Sequence, residues 1–459
     1  WGVPHHPFFI VNAIQVTGDE ALARRLAARP EVERVVADPT FNGLDDPPPG
    51  PPAPPAVDGV EWNIARLQAP EVWALGFTGQ GIVVGSADTG VDYTHPALVS
   101  QYRGNLGGGN FDHNYNWHDT FGEYNYPADP NGHGTHTTGT MVGDDGGGNQ
   151  VGMAPGAQWI ACKLNSGGTW KASKYIECWE FFLAPTDLNG QNPRPDLAAH
   201  VINNSWSCPG SEGCDLDTLL PAAQSLYAAG IAIAKSGGNA GPSCGTITNP
   251  GQYDEILATA AFAQGDTIAS FSSRGPVTYQ GRTRVKPDIA APGSAIRSSL
   301  PGGGYGSMSG TSMASPHTAG LIALLWSARP DLIGKLDVTY QIVKSSAEPK
   351  VDLQCPPNEP DGRPNNVWGW GILNALQAVQ AARSGGIGFL QGTTYDNAFT
   401  PLPGTRLQIV QADSGLGGRC FPAPPPPTAP PCWRPPMTSP PPTTATCRPP
   451  PAWPCPAAR

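Results

Sequence analysis

Between about Val57 and Ser384 the chain alternates short apolar runs with longer amphipathic stretches. Five runs read as strands: 81–87 (GIVVGSA), 157–164 (AQWIACKL), 200–206 (HVINNSW), 230–235 (GIAIAK) and 256–261 (ILATAA). They are nearly continuous in apolar residues, as strands covered on both faces must be. Between them, 133–142, 171–183, 216–229 and 311–328 carry helical spacing, the last stopping before Pro330. Strands interleaved with helices predict an α/β fold, a parallel sheet between two helical layers.

The pattern changes at both flanks. Residues 1–45 read as a small α/β piece, with a strand at 8–11 (FFIV), a helix at 19–28 ended by Pro30, and a second strand at 32–36. Residues 46–57 form a stiff Pro-rich linker whose backbone is open to cleavage. The large domain is assigned 58–384. Residues 385–411 read as the opening strands of a truncated β-sandwich module, and 412–459 as a disordered Pro-rich tail. From Phe421 onward, 17 of 39 residues are Pro with no Asp or Glu, a vocabulary so abrupt that resequencing the 3′ end is the check on its reading frame.

Composition narrows the function. The 459 residues hold 57 Gly and 53 Pro, so loops are extensive. Net charge is −10, from 27 Lys and Arg against 37 Asp and Glu, and no basic stretch tracks a nucleic-acid backbone. The longest apolar runs are too short to span a membrane. Ten cysteines fit an oxidised, extracellular or cell-surface framework, and Cys208 and Cys214, six apart around Gly210 and Gly213, make a local disulfide. The remaining pairing is not deducible, and no Cys-x-x-Cys pair suggests a zinc ribbon.

Chemistry concentrates where strands end and helices begin. The first strand runs into Asp88-Thr89-Gly90, which leaves a carboxylate at its tip; alone, that is a turn residue. NGHGTHTTGTMVG (131–143) opens a helix at His133, placed to take and return a proton. A zinc reading of His133 and His136 lacks the Glu of His-Glu-x-x-His, because Gly134 stands there; His136 reads as a packed structural histidine. GSMSGTSMASPHTAG (306–320) presents Ser312 at a helix start, among unpaired backbone N–H groups suited to an oxyanion, with Pro316 tolerated in the first turn. Alone, Ser312 is a helix cap. AIAKSGGNAGPSC (232–244) carries Asn239 behind two glycines, a turn residue or an oxyanion donor.

Taken together, DTG at 88–90, HGTH at 133–136, GGN at 237–239 and GTSMASPH at 310–317 resemble the subtilisin-like serine proteases over about 60–384. WNIARLQAPEVWALG, YRG at 102–104, NNSW at 203–206 and AEP at 347–349 look most like the bacillopeptidase F branch. The resemblance implies a secreted endopeptidase in which Ser312 is the nucleophile, His133 the base then acid, and Asp88 its orienting group. Asn239 lies in the oxyanion hole. Ser205, Trp206 and Ser207 form the edge that pairs with substrate, and Ser236, Gly237 and Gly238 the opposite pocket wall. Ala240, with no carboxylate, points to large apolar rather than basic side chains before the scissile bond.

FFIVNAIQV and ARRLAARPEVERVVAD resemble the second half of the family's inhibitory prodomain, which implies an intramolecular inhibitor removed by cleavage between about Gly43 and Val60. The implied partners are protein or peptide substrates of a monomer, with no nucleic acid. No cofactor is implied for the chemistry. Structural calcium is expected at Asp144-Asp145 or within 105–129. Two rival functions fit the sequence less well. An esterase places its serine in Gly-x-Ser-x-Gly and in the order Ser, Asp, His, neither of which occurs here. A catalytically inactive surface-adhesion protein on the same scaffold would usually have lost a triad member, and none is lost.

Overall fold

The computed structural model describes residues 2–47, 59–356, 362–384, 407–410 and 417–420. Contacts divide the chain into two units, Trp1–Gly388 and Phe389–Arg459.

The first unit opens with a hairpin of β1 (His5–Phe8) and β2 (Ala13–Val16), followed by α1 (Glu20–Ala27), whose first turn is capped by Asp19. Two local expectations fail here. The strand expected at 8–11 ends at Phe8, because the N–H groups of Phe9 and Ile10 donate to the Glu180 carboxylate at 2.5 and 2.9 Å instead of joining a ladder. Residues 32–36 form no strand: Val35 and Val36 are exposed and have no partner strand.

The large domain contains β3 (Val83–Asp88), β4 (Trp117–Asp119), α2 (His133–Val142), β5 (Gln158–Lys163), α3 (Ala172–Leu183), β6 (Val201–Asn204) and α4 (Leu220–Ala228). There follow β7 (Ala232–Ser236), β8 (Leu257–Ala263), β9 (Thr267–Ile268), β10 (Ile289–Pro292), β11 (Ile296–Leu300), β12 (Gly304–Met308) and α5 (Thr311–Ala328). One eight-stranded sheet runs β9-β8-β7-β6-β3-β5-β4, with β10 also on β8; every pairing is parallel except that of β9. The five apolar runs are thus the sheet's centre, and the α/β three-layer expectation holds. One core packs α2 and α5 on one face, the other packs α3 and α4 on the opposite face. Helix α4 starts four residues later than expected, because Asp215 accepts from Asp217 N–H and the Thr218 hydroxyl to make a turn, and Pro221 then opens the helix.

Among the described residues three disulfides form: Cys208–Cys214, as expected, and Cys162–Cys178 and Cys244–Cys355, which spacing left open. In the second unit, β13 (Leu407–Val410) and β14 (Gly417–Cys420) make an antiparallel hairpin. The rest of the expected β-module and tail lies outside the described residues. Among those described, no helix is long and apolar enough to cross a membrane.

Candidate active site

The parallel sheet delivers Asp88 at the carboxyl end of β3, fully buried. Its Oδ1 accepts from Thr89 N–H at 2.7 Å and its Oδ2 from the Thr137 hydroxyl at 3.1 Å. His133 Nδ1 lies 2.6 Å from Asp88 Oδ1. This contact depends on Gly134: a Cβ there would stand 2.1 Å from Gly90 O and 3.0 Å from Asp88 Cβ, so only glycine lets α2 approach β3 this closely. Asp129, a residue not singled out from sequence, shapes the approach. Its carboxylate accepts from Thr89, Gly132 and Thr135, and thereby holds the loop that presents His133.

Asn239 leaves β7 and is wired directly to the start of α5. Its Oδ1 accepts from the backbone and hydroxyl of Thr311, both at 2.8 Å, while Gly238 N–H donates to the same hydroxyl at 3.0 Å. With the amide oxygen engaged, Nδ2 is the atom turned to the cleft. Ser312 is the next residue. Pro316 sits in the second turn of α5, not the first as expected, and its missing N–H leaves Ser312 O without a helical donor. Ser205 Oγ supplies one at 2.8 Å, which fastens the 205–207 segment to the first turn of α5.

The expected wall residues divide into two sorts. Ser207 N–H donates to Gly43 O at 2.9 Å, so this edge meets a segment of the chain itself. The Trp206 side chain faces inward, stacked 3.6 Å from Tyr175, and only its backbone borders the cleft. Gly237 N–H donates to Thr259 O and Gly237 O accepts from Thr248 N–H, while Gly238 O accepts from Ser273 N–H; these bonds tie down the 237–238 backbone. Ser236 O and Oγ face the ammonium of Lys235, at 2.5 and 2.8 Å.

The occupant of the cleft is the chain itself. Phe41 N–H donates to Trp170 O, Gly43 O accepts from Ser207, and Asn42 N–H donates to Glu212. Asp46, read from sequence as the first linker residue, is seated between the site's halves: Oδ2 lies 2.9 Å from His133 Nε2, and Oδ1 lies 2.8 Å from Asn239 Nδ2. A Cβ on Gly310 would stand 2.2 Å from Asp46 Oδ1, so this glycine is what admits an oxygen beside Asn239. A cavity of about 220 Å³ remains beside Leu44, Asp46, Pro47, Asn131 and His133.

These contacts set the protonation of His133. Burial opposes its charge, but Asp88 and Asp46 outweigh it and raise the imidazole well above its ordinary value. Flanked by two carboxylates, both ring nitrogens donate. Ser312 Oγ is correspondingly left with a long 3.5 Å contact to Ser205 O, while Asp46 takes the nitrogen facing the cleft. His136, which bonds Ile296 O, is pushed down to about 4, first by burial and then by His133; it is a packed neutral histidine as expected.

For the expected cation sites, the donor set does not fit. Asp144 accepts from Gly146 N–H, and Asp145 accepts from Gly147, Asn149 and the Tyr305 hydroxyl, so these carboxylates are spent on their own turn. In the 105–129 stretch, Asp119 likewise accepts from Phe121, Glu123 and Tyr124. Among the described residues, no cluster of three or more His, Cys, Asp or Glu side chains is placed to hold a metal ion.

A parallel sheet that brings a buried Asp–His pair to the mouth of a serine-bearing helix, beside a side-chain amide, defines the class of serine-type endopeptidases. The chain matches the subtilase family over residues 79–371. It is 40% identical over 397 residues to bacillopeptidase F of Bacillus subtilis (strain 168), an alignment covering 83% of this chain and 26% of that protein. It is 32% identical to subtilisin E of the same organism, over 70% of this chain and 72% of the relative, and 31% identical to its serine protease AprX, over 66% and 67%. The chain belongs to the subtilase family. It spans about a quarter of the length of bacillopeptidase F.

Proposed function

We propose that this chain is a secreted endopeptidase precursor that hydrolyses protein substrates through an acyl-enzyme on Ser312. His133 takes the Ser312 proton and later returns it to the leaving amine. Asp88 holds the imidazole in register and balances its charge. Asn239 Nδ2 and the Ser312 N–H receive the oxyanion, and each step is carried by side chains or backbone of this chain. Ser205 to Ser207 and Ser236 to Gly238 are the walls that hold the bound peptide in line.

The observation that carries this reading is Asp46. Its carboxylate sits with one oxygen at the amide that would receive an oxyanion and the other at the nitrogen that would serve as base. A carboxylate there is also a product's arrangement. Residues 1–45 are read as a partial prodomain that delivers this segment: Asp38 caps α3 through Ser173, Ser225 Oγ donates to Ile10 O, and Phe41 is buried against Tyr175. While Asp46 is bound, His133 cannot accept the Ser312 proton, so activation requires the segment to leave. The three disulfides support an oxidising, extracellular location. A cell-surface role for the C-terminal unit and the monomeric state belong to the same proposal.

The test is incubation with a fluorophosphonate followed by peptide mapping. Covalent label on Ser312, abolished together with peptide hydrolysis in Ser312→Ala, is the expected result. Hydrolysis surviving that substitution, or label on another serine, removes the proposal.

A further inference from the structure

Lys235 is the feature of the cleft that neither the motifs nor the mechanism uses. It occupies β7 in an otherwise apolar run, directly opposite Asn204 of β6, and is fully buried with residues 41–46 in place. A lysine is almost never buried so completely without a partner. The ammonium lies 5.9 Å from the centre of the Trp206 ring and donates to Ser236 O and Oγ. Two of its three hydrogens are thereby placed, and no carboxylate of the described residues reaches it in an ion pair. It stands between the two pocket walls, one residue before Ser236 on its own strand and opposite the residue that precedes Ser205.

The bound segment places a carboxylate in the same cleft. The bond from Ser207 to Gly43 O sets the register and puts Asp45 two residues further on, at the pocket. Asp45 Oδ1 lies 3.4 Å from Asn239 Nδ2. Burial and Asp46 push the Asp45 carboxyl up, while Lys235 and the Asn239 amide pull it back. Lys235 is in turn pushed down to about 7 by burial and drawn up by Asp45 and then Asp46. The bond after Asp45 is an ordinary peptide, whereas that after Asp46 is to Pro47.

We infer that Lys235 is a specificity-determining residue that makes the pocket select an aspartate or glutamate immediately before the scissile bond. This rests on the peptidase reading above and replaces the expectation of a large apolar side chain, which considered Ala240 alone. The physical reason is the cost of the alternative. An apolar side chain would enclose the ammonium with an unmet hydrogen, whereas a carboxylate completes its shell with a charge-assisted bond.

The test uses the full chain after activation and four peptides, succinyl-Gly-Leu-Xaa-p-nitroanilide with Xaa as Asp, Glu, Leu or Phe. The Asp and Glu peptides are expected to exceed the Leu and Phe peptides in kcat/KM by roughly 10–100-fold. Lys235→Met, which keeps the stem and removes the charge, should bring the two classes to within about threefold of each other, chiefly by loss on the acidic pair. A merely structural lysine would lower all four together. A wild-type preference for Leu or Phe overturns the inference even if the variant does not fold, and so does an unchanged ratio in Lys235→Met. Failure to cleave any peptide together with no fluorophosphonate label on Ser312 counts instead against the peptidase reading.

Discussion

Asp46 makes the sharpest prediction, because two charge-assisted hydrogen bonds of known length depend on it. Asp46→Ala deletes the 2.9 Å contact to His133 and the 2.8 Å contact to Asn239. It leaves the Phe41 and Gly43 backbone pairing in place. A hydrogen bond to a charged group contributes about 1.5–3 kcal/mol net. Asp46 is mostly sheltered, so losing the His133 bond alone should raise the population of open cleft roughly 10–100-fold. The effect depends on pH with a definite sign. Occlusion raises the proton affinity of His133, so its contribution is complete while His133 is protonated in both states. It is lost as pH rises through the higher value that Asp46 sustains. Asp88 flanks the ring in both states and cancels from the comparison. The assay is the rate of fluorophosphonate labelling of the uncleaved chain, resolved on a gel before processing intervenes. The variant should label roughly 10–100-fold faster than wild type at mildly acidic pH, with the gap narrowing toward alkaline pH. Equal rates in acid, or a gap that widens as pH rises, would refute the reasoning.

Two further outcomes follow from the site's wiring. Asn239→Ala should lower kcat by about 10²–10³ with little change in KM on a peptide nitroanilide, a magnitude taken from a subtilisin itself rather than from this geometry. Gly134→Ala should force α2 off β3 at Gly90 O and Asp88 Cβ. Loss of kcat larger than for Asn239→Ala, with the fold retained by circular dichroism, is the expected pattern; full activity would show that the backbones yield.

What the sequence disclosed, and what it withheld, divides by range. Helices α2 and α5 were legible to the residue because glycine precedes each and Pro330 follows the second. The central strands were legible because burial on both faces makes them continuous apolar runs. The 32–36 segment looked like a strand for the same local reason, yet no neighbour offers it a ladder. Asp88, His133, Asn239 and Ser312 are proposed from local motifs whose glycines and small residues mark close approach. Asp46 and Lys235 carried no such mark. A carboxylate in a Pro-rich run and a lysine in a strand acquire meaning only when chain topology sets one against His133 and the other between two walls. The lysine did interrupt an otherwise apolar run, and that interruption was the one signal available.

Pro316 has a further consequence. By withholding its N–H it hands the carbonyl of Ser312, the proposed nucleophile, to Ser205, on the segment whose Ser207 holds Gly43. Docking and alignment are therefore mechanically joined. A long peptide that engages Ser207 is expected to gain over a dipeptide ester that stops short of it, and to gain in kcat more than in KM; equal kcat for the two would exclude the coupling.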